Sequence, residues 1–213
     1  MKRVALLVPL LLMAAVPVAA QPAPSCAAAL APGAQSLPEA CRRIGPVALG
    51  MSAAAVQTAL GAPDYRSADG GAAAYLFPRH LDAALARRPV KAAALRHSEL
   101  VIAYRQGKVA GMALTAGTGL VPDFAARGFG IGTPLAAMIR AYGPPRRWNG
   151  SHDEASYDPL PLSFMVDDEA HRVFGVTIGQ SRAAAESVPQ VALALRKAPG
   201  SDLVSGVTVK GGD

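Results

Sequence analysis

Two short runs of the sequence combine side-chain types that can catalyse hydrolysis: His97-Ser98-Glu99 and His152-Asp153-Glu154. A histidine next to a hydroxyl or a carboxylate could act as a general base. Residues adjacent in sequence, however, point in different directions on a strand or loop, so neither run forms a triad by itself. We therefore predict a protein that is not an enzyme. The alternative is a small periplasmic hydrolase that uses His97 or His152.

The sequence offers little for a metal or a cofactor. Its four histidines lack zinc-ligand spacing such as His-Glu-x-x-His. The acidic run from Asp167 to Glu169 falls in an expected hairpin turn, without the alternating ligands and the glycine of a calcium loop. The glycines between Gly128 and Gly132 are better explained as a link between two units than as a phosphate loop. We predict neither metal nor cofactor.

Basic and aromatic residues point instead to protein recognition. Arg146, Arg147 and Trp148 are consecutive, and Trp148 is the only tryptophan. Exposed Trp and Arg side chains often supply most of the energy of a protein interface. We take these three as candidate binding residues, with a core position as the alternative for Trp148.

Two further sets of candidate binding residues follow from the chain pattern. Residues 79–97 form a basic stretch that contains Arg87 and Arg88, and we interpret it as an insertion that selects a partner. The alternative is a solvated helical lid packed by its leucines. Tyr75 and Tyr157 occupy equivalent strand positions, where they either bind on the sheet surface or belong to the core.

An internal repeat positions these residues. The run from Gly50 to Pro63 recurs as Gly132 to Pro145, at an offset of 82 residues, and the offset still holds at Tyr75 and Tyr157. Two copies of one supersecondary unit usually build a long binding surface rather than a catalytic pocket.

Each copy predicts a short helix followed by strands. Ser52 is a good N-cap for the first helix and Gly61 ends it; Thr133 and Gly143 are expected to do the same in the second copy. Alternating apolar residues then predict antiparallel strands. The predicted fold class is α+β, with two tandem repeats, each made of short helices packed on a three- to four-stranded antiparallel sheet. The expected strands are 73–77, 100–104, 109–114, 155–158, 162–166 and 172–178.

The N-terminus predicts export. Lys2 and Arg3 precede an apolar run that ends in small residues, as in a signal peptide cleaved before Gln21. An uncleaved anchor is the alternative. Cys26 and Cys41 are the only cysteines and should pair in an oxidising compartment. Cys26 does not follow the apolar run directly, so we expect no lipidation.

These patterns divide the chain into five parts. We predict a signal peptide (1–20), an Ala/Pro-rich disulfide segment (21–43), repeat 1 with its insertion (44–118), repeat 2 (119–180), and a C-terminal helix with a disordered tail (181–213).

The run from Val47 to Pro63, followed by a strand tyrosine and a hairpin, resembles the SmpA/OmlA type of envelope domain, which includes an accessory lipoprotein of outer-membrane barrel assembly. Two such units in tandem are also similar to the beta-lactamase inhibitor protein, whose paired repeats grip a partner with a concave sheet. The resemblance extends to about Gly179 and implies a binding module. Departures are the missing lipidation site and cysteines that lie outside both repeats.

Composition and charge narrow the choice of partner. The formal net charge of +6 falls to about +4 once Lys2 and Arg3 are removed, which is too weak to indicate nucleic acid. We predict a periplasmic or secreted protein-binding module for envelope assembly or inhibition. Its expected partner is a protein of the envelope or periplasm, and peripheral contact with the outer membrane stays open. A structural envelope protein is a further alternative.

Overall fold

The computed structural model describes residues 25–30, 33–77, 98–116 and 128–197. Several predicted features lie outside the described residues: the signal peptide at 1–20, the insertion at 79–97 with Arg87, Arg88 and His97, and the tail beyond residue 197.

Four helices and ten strands make up the described residues. The helices are α1 (Cys26–Ala29), α2 (Ala53–Leu60), α3 (Leu135–Tyr142) and α4 (Arg182–Lys197), with a 3₁₀ turn at Glu39–Cys41. The strands are β1 (Arg43–Ile44), β2 (Val47–Ala48), β3 (Tyr65–Arg66), β4 (Ala72–Phe77), β5 (Ser98–Arg105), β6 (Lys108–Thr115), β7 (Arg147–Trp148), β8 (Glu154–Ser156), β9 (Leu162–Asp167) and β10 (Arg172–Gly179).

The α+β class is confirmed, and the strands form a large antiparallel sheet. Its eight strands run in the order β3-β4-β5-β6-β10-β9-β8-β7, while β1 and β2 form a separate hairpin. We call β3–β6 the first half and β7–β10 the second half. The halves meet where β6 pairs with β10, with Ala113 opposite Thr177. In each half, the strands follow one another along the chain from an outer edge of the sheet to its centre.

The two faces of the sheet are covered differently. One face of the sheet is covered by α2 and α3, and we call it the helix side. Large side chains such as Leu100, Met112 and Phe164 pack there with Val56 of α2 and Met138 of α3 into the main core. Alternate residues of a strand face opposite sides, so the remaining residues form a second face, which we call the α4 side. Burial of β9 shows the alternation directly, since every second residue from Leu162 is buried.

Helix α4 covers only part of its face. It packs against β4, β5, β6 and β10. Val188, Ala192 and Leu195 meet small apolar residues of the first half there, among them Ala74 and Val101. Gly111 allows this close approach, because a Cβ atom on it would lie 2.7 Å from the carbonyl oxygen of Ala184.

Side-chain hydrogen bonds determine the residue at which α2 and α3 begin. The Ser52 hydroxyl caps α2 as predicted, accepting from the Ala55 N–H at 3.2 Å. The prediction for α3 is wrong by one residue, since Pro134 is the N-cap. The Thr133 hydroxyl instead donates to the Gly130 carbonyl at 2.6 Å, so the preceding turn takes the group that would have capped the helix.

The predicted disulfide is confirmed. Cys26 and Cys41 are bonded and fully buried, and they hold α1 beside the main core. A cross-link over 15 residues stabilises a fold by about 3 kcal/mol in the chain-entropy model. Among the described residues, no helix combines the length and apolar character needed to span a membrane.

Candidate functional site

Three hydroxyl groups form a row across the second half of the sheet. Ser156 of β8 is paired with Ser163 of β9, which is paired with Thr177 of β10. Paired residues share a face, so these side chains project together on the α4 side. Within the described part of the chain, no side chain or backbone group makes a hydrogen bond to any of the three hydroxyls.

A groove of about 220 Å³ opens over this row. Its floor contains the three hydroxyls, and its wall is the start of α4, with Ala185, Glu186 and Pro189. Glu154, which is partly exposed on β8, also lines it. We call this surface, from β7 to the α4 wall, the open face.

Charged side chains link the open face to α4. Asp158 accepts from Arg147 at 3.4 Å and lies 3.3 Å from Arg182, so one carboxylate joins the edge strand to the helix. Arg182 also donates to Glu186 at 2.7 Å. The bond to Glu186, followed by the charge of Asp158, raises the pKa of Arg182 above its ordinary value. Cations and anions thus alternate along the rim.

The strand geometry separates the predicted Arg146, Arg147 and Trp148 cluster. Arg147 lines the groove on the α4 side. Trp148 packs against the main core on the helix side, with its ring stacked on His152 at a centroid distance of 6.1 Å. Arg146 lines a different cleft, between α3 and the segment after α1. The three residues therefore do not act on one surface, because neighbours on a strand alternate between its faces.

Both predicted tyrosines lie in the core on the helix side. Tyr75 is 1% exposed and Tyr157 is 6% exposed. The Tyr157 hydroxyl donates to the Gly143 carbonyl at 2.9 Å, and burial raises the pKa of this phenol to about 12. Their rings pack within the protein and are not presented on the open face.

The side chains considered for catalysis are not assembled into a triad within the described residues. His152 has a φ of 59°, stacks on Trp148 and sits in a turn held by Asn149. Asn149 accepts from the backbone N–H groups of Asp153 and Glu154, both at 3.0 Å. Across the described ranges, no three His, Cys, Asp or Glu side chains are grouped to hold a metal ion.

The sequence did not single out most residues of the open face. Asp158, Arg182 and Glu186 come from a turn and from α4, and the hydroxyl row spans three strands. The only local signal was the spacing of Arg182 and Glu186, which are four residues apart and so form a helical ion pair. The rest depends on strand pairing.

No protein-family model matches the chain, and no curated protein matches it either. Among solved structures, the chain is similar to a cysteine-rich secretory protein from Staphylococcus aureus, with 11% identity and a TM-score of 0.38. The match covers 62% of this chain and 43% of that protein, so the chain spans less than half of its length. A likeness this distant does not establish a shared fold or function.

Proposed function

We propose that this protein is an exported, non-enzymatic binding module that recognises a protein of the cell envelope on its open face. The observation that carries the proposal is the hydroxyl row of Ser156, Ser163 and Thr177. Ser163 is partly exposed at the centre of the groove, whereas Ser156 and Thr177 are 7% and 4% exposed and lie deeper in it. None of the three hydroxyls has a hydrogen-bond partner among the described residues. The hydroxyl of Ser163 is therefore available to donate to and accept from a partner that enters the groove.

The size and rim of the groove favour a macromolecular partner. A volume of about 220 Å³ is below the roughly 300–1,000 Å³ typical of sites that enclose a small molecule. Arg147 and Arg182 lie beside the groove with half of each side chain exposed. Arginine at the rim of a groove is common in protein interfaces, because its guanidinium can bond several acceptors at once.

We further propose that the two halves are copies of one unit, as the sequence repeat predicts. Backbone bonds support this: Gly50 N–H donates to the Val109 carbonyl, and Gly132 N–H donates to the Val173 carbonyl. Each half also has a bulge at the same place, before Gly111 in β6 and before Gly175 in β10. The SmpA/OmlA-type and inhibitor-like resemblance stays a prediction that agrees with this arrangement.

Export is supported by the disulfide. Cystine bridges form and persist in oxidising compartments such as the periplasm or the cell exterior. The buried Cys26–Cys41 bond and the apolar N-terminal sequence together favour a periplasmic or secreted location.

The proposal can be tested by partner capture. The purified mature protein is crosslinked in a cell-envelope extract beside two variants that each add one arginine. Ser163→Arg fills the centre of the open face. Thr58→Arg places the same group on an exposed position of α2, on the helix side. We expect one stoichiometric partner with the native protein and with Thr58→Arg, and its loss with Ser163→Arg.

Circular dichroism and thermal unfolding establish that both variants are folded. A partner that survives Ser163→Arg places binding elsewhere and contradicts the proposed face. Recovery of nothing above background by the native protein contradicts the protein-binding function itself.

A further inference from the structure

A second, larger cleft lies on the other side of the Tyr157–Leu160 turn from the open face. Its volume is about 760 Å³, against about 220 Å³ for the groove of the open face. One wall is the segment after α1, with Leu30 and residues 33–35, and the other is the end of α3. We call it the α3 cleft. The sequence singled out Arg146 and Tyr157 as candidate binding residues, but it did not bring them together with Arg140 and the segment after α1.

The α3 cleft has a firm aromatic and proline-rich floor. The rings of Tyr142 and Tyr157 meet edge to face at a centroid distance of 6.0 Å. The Tyr157 hydroxyl is fixed by its bond to the Gly143 carbonyl. Pro144 and Pro145 complete this side. Rings and prolines lose little conformational entropy on binding, so the site is largely preformed.

The charge of the α3 cleft is positive. Arg140 and Arg146 line it, both are exposed, and neither makes an ion pair with an acid in the described part of the chain. Asp158 is the one acid among the lining residues, and its two oxygens are engaged by Arg147 and Arg182 on the far side of the turn. Two guanidinium groups therefore face the cleft without a carboxylate to balance them.

We propose that the α3 cleft binds a peptide segment rich in Asp or Glu. Guanidinium groups bind carboxylates through strong, charge-assisted hydrogen bonds. Leu30, Leu160 and the prolines add apolar contact for the peptide backbone and side-chain stems, which a free carboxylate ion would not use. The α3 cleft shares Asp158 and Leu160 with the groove of the open face, but Arg140 and Arg146, which carry its charge, do not line that groove.

Fluorescence anisotropy with a labelled hexaglutamate peptide tests the assignment on the whole mature protein. We expect Arg140→Gln and Arg146→Gln each to raise Kd by about tenfold, as loss of one charge-assisted bond predicts. Arg140→Lys and Arg146→Lys should restore part of the affinity, because they keep the charge. Free glutamate should compete only weakly, which distinguishes a peptide from a small carboxylate.

Two controls make the result specific. Arg105→Gln removes the same charge from the exposed β5–β6 hairpin and should leave Kd unchanged. Equal losses with Arg105→Gln would mean diffuse attraction and overturn the site. Equal binding of hexaglutamine would overturn the acidic assignment, and no binding of hexaglutamate at all would overturn the proposal.

Discussion

The α4 side of the sheet has two halves of opposite character, although their strands pair in the same way. One continuous cross-strand row begins with Ala74, Val101 and Ala113 in the first half and continues with Thr177, Ser163 and Ser156 in the second. The row changes from apolar to hydroxyl side chains where β6 meets β10. Helix α4 covers the apolar part and leaves the hydroxyl part at a groove.

Side-chain type, rather than backbone geometry, therefore distinguishes the covered part of the sheet from the open part. Burying the small apolar residues of the first half against α4 gains about 25 cal/mol per Å². Extending α4 over the partly exposed Ser163 would instead bury a hydroxyl without a partner, at a cost of about 1–3 kcal/mol. Helix α4 therefore packs on the first half and on the adjoining strand β10, while β8 and β9 stay open at the groove.

We expect the largest change in the free energy of unfolding when a small apolar residue of the first half is replaced by the charged residue found at the corresponding position of the second half. Ala72 is 4% exposed and packs against α4. It lies two residues before Ala74 on β4, just as Glu154 lies two residues before Ser156 on β8, so Glu154 holds the corresponding position in the second half. Ala72→Glu should lower the free energy of unfolding by about 3–5 kcal/mol, because it buries an uncompensated charge. Urea denaturation measures the change.

The reverse exchange is the control. Glu154→Ala on the open face should change the free energy of unfolding by about 0.5 kcal/mol or less, as expected for a surface position. Similar losses for both exchanges would break the comparison, since they would mean that both halves are equally buried.

A smaller effect is expected at two glycines that occupy matching places after the bulges. A Cβ on Gly111 would lie 2.7 Å from the backbone oxygen of Ala184 in α4. A Cβ on Gly175 would lie 2.8 Å from the terminal methyl of Met165, which can rotate away, and 3.1 Å from the backbone oxygen of Leu114, a milder contact than the one at Gly111. Gly111→Ala should therefore cost about 1–3 kcal/mol through overpacking.

Gly175→Ala should cost clearly less, and the midpoints of thermal unfolding of the two variants give the order. If Gly175→Ala is the more destabilising, the second half is packed more tightly than its groove indicates, and the distinction between the halves weakens.

The smallest effect is expected at the charges that join α4 to the edge of the open face. Asp158→Asn removes the contacts to Arg147 and Arg182, which are half exposed. Exposed ion pairs contribute about 0–1 kcal/mol, and salt screens them. We expect a loss within that range in low salt and none at 1 M salt, by urea denaturation.

Asp168→Asn is the matched control, since Asp168 is exposed in the β9–β10 turn. It should have no measurable effect. A loss that persists for Asp158→Asn at high salt would show a structural role for this side chain beyond charge pairing.

The main strands were predictable because each has a strong local pattern. Leu162, Phe164 and Val166 alternate with partly exposed residues, and the structure places them as expected. The edge strands β3 and β7 were not predicted, because two residues are too few to show a period. The start of α3 was misplaced because Thr133 bonds backwards, to Gly130, rather than into the helix.

The site was predictable only in fragments. Arg147 was singled out from the sequence and lines the open face, yet its partner Asp158 and the helix residue Arg182 are remote in sequence from each other. Arg146 and Trp148 were expected to share its surface and do not, since an edge strand sends neighbours to different faces.

Helices α2 and α4, the main strands and the disulfide could be predicted from the sequence alone, because they depend on periodicity, capping and cysteine count, whereas α1 was not predicted. Which part of the α4 side is covered by a helix could be seen only in the folded structure. The covered part is the part on which α4 packs, and α4 packs where the strands present small apolar side chains rather than at any sequence motif. The open face exists because α4 leaves part of the sheet uncovered, whereas the α3 cleft lies between the end of α3, the segment after α1 and the Tyr157–Leu160 turn.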